Sequence, residues 1–591
     1  MNKKLAIVAL LVLNFASCKT GKTVTKNNES KDLFNLFEED LNVKPFYSDK
    51  KGVMGKNGMV ASAHFEASQA GINILKQGGN AIDAAIATHF ALAVVFPFAG
   101  NLGGGGFAVI RDKAGKAYTL DFREKAPLKA HRDMYLDANG DVINGLSTKG
   151  HLASGVPGSV DGMVELHKKL GKLSWAKLLE PAITLAENGV VMTEREAFGL
   201  NNNTIVFKEV NGTNTPYFIK PDGSKWAKGD LLIQKDLAKT LKLIQEHKRA
   251  GFYEGEVAKK IVAEMQNGGG IISMEDLTKY HSVWRTPIVS DYKNYKIITM
   301  PPSSSGGVAL MQLLRLVEPY PIKTWGWNSP KTTQVMIEAE RRVYADRAKW
   351  MGDSDFIKVP ITELISRAYL EKRFSDFNEN LATKSADVSA GVVPGYESDE
   401  TTHYSVVDKD GNSVSITTTL NGAFGSKVVV NEAGFLMNNE MEDFSVKAGV
   451  PNMFGLTGSK ANEIAPEKRM LSSMTPTIVE KDGQFLMAVG TPGGSTIITS
   501  VYQTILNVIE HGMTMQQAVN ALKFHHQWLP DRTVFEKNAF TEKTLDELKK
   551  KSYQMDEMSG SLGRMDCILK RPDGILEGAS DPRADNTSVG Y

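Results

Sequence analysis

Two Asp-Gly dipeptides, Asp410-Gly411 and Asp482-Gly483, each stand between short runs of strand-forming residues. An Asp-Gly pair accepts the positive φ of a tight turn, so each marks the tip of an antiparallel hairpin. Residues 403–407 lead into the first turn and 413–419 leave it; 477–479 lead into the second and 485–489 leave it. Elsewhere the apolar residues recur with helical spacing, mainly over 160–290, 330–375 and about 495–510. Strands flanked by long helices predict a layered α/β arrangement.

The first half of the chain adds detail. Residues 60–62 read as a short strand. Ala67, Ala70, Gly71 and Ile74 share a helical face that Gly78-Gly79 brings to a stop. Asn80 caps a second helix, whose Ala81, Ala84, Ala85, Thr88 and Leu92 share a face. The apolar stretch 84–99 is too short and too interrupted for a membrane span, so a buried helix is expected. The glycine run from Gly103 to Gly106 lacks the Gly-Lys-Ser/Thr ending of a phosphate loop, which leaves close backbone packing as its reason. The segment from Pro301 to Gly307 (PPSSSGG) is irregular and precedes an apolar helix.

At 591 residues the chain exceeds one ordinary core, so several domains or one large intertwined one are expected. Lys and Arg total 69 against 68 Asp and Glu, a balance that gives no footprint for nucleic acid. The 11 histidines are scattered and predict no metal site. The N-terminus reads as an export signal: Lys3 and Lys4, a short apolar run, then Ala16-Ser17-Cys18. Small residues before a cysteine resemble the bacterial lipoprotein box, so Cys18 is a candidate lipid anchor in a periplasmic, membrane-tethered protein. The plainer alternative is an ordinary signal peptide ending near a cysteine. Polar residues then form a tether, and the folded part is expected from about Val53. A lipidated Cys18 leaves Cys567 as the remaining thiol of two, and no intramolecular disulfide.

Thr401-Thr402-His403-Tyr404-Ser405 carries the chemistry. A threonine hydroxyl needs a base beside it to act as a nucleophile. An N-terminal threonine supplies its own, because an α-amine has a pKa of about 8. Within an intact chain the same nitrogen is an amide without basicity, so such a protein is inert until the bond between Glu400 and Thr401 is cut. Taken alone the segment reads first as an edge-of-strand threonine pair.

The stretch from Thr401 to Asn412 strongly resembles the start of the small subunit of γ-glutamyltransferases. Further matches follow in order: Gly78 to Ala85, Asp121-Phe122-Arg123-Glu124-Lys125-Ala126-Pro127, Asn438 to Ser445, Leu471 to Thr477, Thr491 to Ser495, and Asp581 to Asp585. The resemblance spans nearly the whole chain after residue 53. It implies a four-layer αββα fold of the N-terminal-nucleophile hydrolases. The N-terminal residues put a signal peptide over 1–17 and a lipidated start and tether over 18–45; the resemblance implies autoproteolysis into a large subunit, 46–400, and a small one, 401–591, that stay together. Thr401 then attacks a γ-glutamyl amide such as glutathione, and water or an acceptor amino acid or peptide resolves the ester, with no cofactor. Thr419 matches the family's supporting threonine, and Gly493 and Gly494 its oxyanion hole. Arg123, with Ser472 and Ser473, suits the substrate carboxylate; Glu440 and Asp443 suit its ammonium; Asn421 lines the same pocket. Phe454 falls in the lid loop, where some relatives carry tyrosine. Two other readings stand beside this one. A cephalosporin- or glutaryl-type acylase shares the nucleophile but needs no ammonium site. An inactive lipoprotein that binds γ-glutamyl peptides needs no nucleophile.

Overall fold

The computed structural model describes residues 48–212, 218–389 and 401–591, apart from 448, 451, 454, 457 and 458. The signal region, Cys18, Glu400 and Phe454 lie outside the described residues. Five strands and three helices position the site: β1 (Gly105–Arg111), β2 (Thr402–Asp408), β3 (Ser413–Thr419), β4 (Thr477–Lys481) and β5 (Gln484–Val489), with α1 (Ala81–Val95), α2 (Pro330–Trp350) and α3 (Thr496–Ile509).

The strands assemble into two stacked seven-stranded sheets in which every neighbour runs antiparallel. The first sheet runs Thr587–Gly590, Gly58–Ser62, β2, β3, β1, Ala117–Asp121, Val283–Arg285. The second runs Val53–Gly55, Leu576–Ser580, Asp566–Lys570, β5, β4, Tyr295–Thr299, Ile288–Tyr292. Both sheets mix strands from either side of residue 401, and β2 lies between Gly58–Ser62 and β3. The chain is therefore intertwined rather than divided at that point.

Alternation sorts the core. On β1, Phe107 and Val109 join the core shared with the second sheet, while Ala108 and Ile110 face the helices. Helices Phe65–Lys76, α1 and Ser159–Leu170 cover the first sheet, with Trp175–Asn188 packed on α1, and Gly306–Val317, α3 and Met515–Asn520 cover the second. The order helix, sheet, sheet, helix is the expected four-layer α/β arrangement. Both sheets are covered on both faces, which is why the residues of β1, β2 and β3 are all buried.

Local chemistry explains the element ends. Asn80 Oδ1 accepts from Asp83 N at 2.9 Å while Asp83 Oδ2 accepts from Asn80 N at 3.0 Å, the reciprocal cap that opens α1. The apolar stretch 84–99 predicts a buried helix, and the structure buries every residue of α1, those off the shared face included. The helix is enclosed between the sheet and two outer helices, a tertiary circumstance that periodicity does not record. At the second hairpin Asp482 and Gly483 both take positive φ, 51° and 72°, as the tight turn requires. The first turn is broader: Asp408 Oδ1 accepts from the Asp410 and Asn412 amides, each at 3.0 Å.

The glycine run packs as expected. A Cβ on Gly104 would lie 2.0 Å from the Thr419 carbonyl oxygen, and one on Gly106 2.3 Å from that of Thr417. Glycine thus brings β1 directly against the end of β3, where Thr419 stands.

Candidate active site

The β2–β3 register pairs Thr402 with Thr418, which places Thr401 beside Thr419 at the end of the ladder. Their hydroxyl oxygens are 3.4 Å apart and both residues are buried. The Asn421 amide donates to Thr419 Oγ1 at 2.7 Å, so the Thr419 hydroxyl hydrogen can turn toward Thr401. Asn421 adopts φ 74°, a left-handed conformation that asparagine tolerates, and its Nδ2 donates to the Asn439 carbonyl at 3.1 Å.

Two residues along β2, His403 is fully buried and held by Thr417 Oγ1 at 2.9 Å and Ser405 Oγ at 3.1 Å. Burial lowers its pKa to about 3, so the ring is neutral. The strand that carries Thr401 is thereby pinned by an uncharged side chain.

Gly493 and Gly494 link β5 to α3 with φ of 137° and 51°. These values suit glycine, which puts no side chain beside the backbone amides. Thr496 donates to the Gly493 carbonyl through its amide at 2.9 Å and its hydroxyl at 2.7 Å. That fixes the turn at the positive end of α3, where negative charge is stabilised.

Arg123 follows the strand Ala117–Asp121, its amide donating to Asp121 Oδ1 at 3.0 Å. Its side chain is fully buried. Nη1 pairs with Glu440 Oε1, Nη2 pairs with Asp443 Oδ2, and Glu124 Oε2 lies 3.6 Å away. Sequence reasoning divides these residues between a substrate carboxylate and a substrate ammonium; the structure joins them in one cluster. Burial pushes the Glu124 carboxyl up to about 8 against the attraction of Arg123. Burial likewise raises Glu440 well above the carboxylate range, and Asp443 also moves up. Arg123 stays charged, because its three acidic neighbours outweigh the cost of its burial.

One cleft draws these groups together. Thr401, Thr419, Asn421 and Gly494 line it, with Arg123, Glu440, Asp443, Ser472 and Ser473. Gly493 stands one residue back from this lining. Two buried residues that sequence reasoning did not single out also belong here. Glu124 stands inside the motif from Asp121 to Pro127 and could have been found there. Arg347 lies on α2 and lines the cleft, and no local pattern distinguishes it from the other charged residues of that helix.

The arrangement supplies a threonine hydroxyl supported by a second threonine, backbone donors at a helix start, and a charged cluster offset from the nucleophile. A family model described as gamma-glutamyltranspeptidase matches residues 67–591. The glutathione hydrolase proenzyme of Escherichia coli strain K12 is 46% identical over 542 residues, covering 91% of this chain and 93% of that protein. Among solved structures, a cephalosporin acylase from Bacillus halodurans superposes with a TM-score of 0.81 at 28% identity, covering 94% of this chain and 99% of that one. A Helicobacter pylori gamma-glutamyltranspeptidase chain gives 0.55 at 45% identity, covering 58% of this chain and 97% of its own. With a family match that runs from the first turn of the first outer helix to the last residue, this chain belongs to the gamma-glutamyltranspeptidase family.

Proposed function

We propose that the protein is a γ-glutamyltransferase with glutathione hydrolase activity, activated by cleavage between Glu400 and Thr401. The observation that carries this reading is the cleft itself, where the Thr401–Thr419 hydroxyl pair and the Arg123–Glu440–Asp443 cluster share one lining. Cleavage gives Thr401 an α-amine, which takes the hydroxyl proton as Oγ1 attacks the γ-carbonyl of the donor. The oxyanion that forms is met by the amides of Gly493 and Gly494 at the start of α3. Proton transfer to the leaving amine releases it, and water or an acceptor amine resolves the γ-glutamyl ester. Glutathione enters as the donor because the close relatives are glutathione hydrolase proenzymes.

The acylase reading shares the nucleophile but does not use paired carboxylates. Glu440 and Asp443, held at the cleft by Arg123, suit a donor that carries an ammonium group, and so favour γ-glutamyl over glutaryl substrates. The test is hydrolysis of γ-glutamyl 4-nitroanilide against the glutaryl analogue, with subunits resolved on a denaturing gel. The wild type should appear as two polypeptides, the smaller starting at Thr401, and should prefer the γ-glutamyl anilide. Thr401→Ala should remain one inactive chain. Full activity in an uncut protein defeats the proposal. Export and lipidation at Cys18 complete the reading on the strength of the N-terminal sequence; Cys18→Ala should move the protein from the membrane fraction to the soluble one.

A further inference from the structure

The donor's α-carboxylate poses an electrostatic problem, given the γ-glutamyl reading on which this inference rests. Arg123 spends Nη1 on Glu440 and Nη2 on Asp443, and its Nε donates to the Met470 carbonyl at 3.4 Å. An incoming carboxylate therefore meets a guanidinium already engaged by two acids. A second positive group is needed nearby.

Arg347 answers that description. It is buried and lines the same cleft; among the described residues no carboxylate is within ion-pair distance of it, and Asp443, which Arg123 already holds, attracts it from farther off. Its Nε donates to Ser305 Oγ at 2.9 Å and its Nη2 to Ser473 Oγ at 3.0 Å. Nη1 has no hydrogen-bond partner among the described residues. Burial lowers its pKa to about 10, which leaves it charged at neutral pH and stabilised by any anion that arrives.

Its hydrogen bonds also set the polarity of the serines. A guanidinium only donates, so Ser473 Oγ must accept from it, and the Ser473 hydroxyl hydrogen has to point elsewhere. Among the described residues none accepts that hydrogen, and Ser473 itself lines the cleft. Ser305 passes the order on: while accepting from Arg347, its Oγ donates to the Ser472 carbonyl at 2.7 Å, and its amide donates to the same oxygen at 2.8 Å. Ser304 Oγ donates to the Met474 carbonyl at 2.6 Å. The irregular serine segment that precedes Gly306–Val317 is thus the cradle of the Ser472-Ser473 pair.

We propose that Arg347 determines the preference for an acyl donor bearing an α-carboxylate: it holds Ser473 as a hydrogen-bond donor to that group and balances its charge. Arg347 is in this sense a specificity-determining positioning residue, acting through Ser473 and apart from the bond that breaks.

The experiment compares Arg347→Met, Arg347→Lys and Ser473→Ala with the wild type, after subunit formation is checked. The donors are γ-glutamyl 4-nitroanilide and 4-aminobutanoyl 4-nitroanilide, which differ only by the carboxylate. Arg347→Met should lower kcat/KM for the first donor by roughly 10- to 100-fold, the range of a charge-assisted hydrogen bond, almost wholly through KM. The second donor should change by no more than about twofold, since nothing it binds has been removed. Ser473→Ala should reproduce this selective loss, and Arg347→Lys should recover part of it because the charge returns without the planar fork. Equal losses on both donors, or a fall in kcat at constant KM, would reduce Arg347 to a structural role and overturn the proposal. If the Arg347 variants fail to fold, Ser473→Ala decides alone, and an equal loss on both donors there overturns the proposal as well. A wild type inactive on the γ-glutamyl anilide would instead remove the functional reading, and this inference with it.

Discussion

Arg123 performs two tasks whose consequences separate on mutation. It is the cation that keeps Glu440 and Asp443 paired in a fully buried cluster, and it adjoins the donor site. Breaking a buried pair from one side strands the other charge at a cost of about 3–5 kcal/mol. Arg123→Ala should therefore lose stability of that order as well as raising KM, whereas a residue that met only substrate would leave stability alone. Arg123→Lys keeps the charge but cannot span both acids, and should fall between the two. Denaturant unfolding of the processed variants checks this, and an unchanged midpoint in Arg123→Ala argues against the cluster. That Arg123, Glu440 and Asp443 matter was legible from the motifs that resemble the family. Their pairing with one another was not, because no spacing along the chain records which side chains meet across it. Arg347 escaped for the same reason: it comes from an outer helix and reaches Ser473 through tertiary packing.

Elements whose signal is local were read most fully. The Asp482-Gly483 turn and the cap at Asn80 are decided by a few neighbouring side chains, and the structure has both. That α1 is buried was legible from its apolar run; which layers enclose it was not, since they come from distant parts of the chain. Fit between layers is sharpest beside the nucleophile strand. Gly490, just past β5, faces the His403 ring, and a Cβ there would sit 2.3 Å from Cε1. The ring cannot swing aside without losing its bonds to Thr417 and Ser405. Gly490→Ala should cost about 1–3 kcal/mol as an overpacked core does, and should slow catalysis by shifting β2. Thermal melts beside γ-glutamyl anilide assays test this, and wild-type values in both would show that the layers can part there.

At the scale of the molecule, burial gives stability its pH dependence. His89 and His526 have their pKa lowered to about 4 and His403 to about 3, burial being the main cause in each. Their folded values lie below the unfolded one of about 6.5, so the unfolded chain binds protons first as pH falls. Their contribution to stability is complete above pH ~6.5 and is lost below it, by roughly 3 kcal/mol for each ring by pH 4. The rings pull the melting temperature down between pH 6.5 and pH 4, against the raised carboxyls of Glu124 and Glu440, which favour the folded state as pH falls through the same interval. NMR titration of the ring resonances separates the two, and a folded-state ring that takes up its proton near pH 6.5 would count against neutral buried rings. The interleaving of the two sheets has a different consequence. Once the bond before Thr401 is cut, both halves still contribute strands to each sheet, so neither half retains a complete layer if they part. Unfolding of the processed form is then also a dissociation. Its reversal becomes a meeting of two molecules, second order where the precursor's folding was first order, and dilution alone can make the loss permanent.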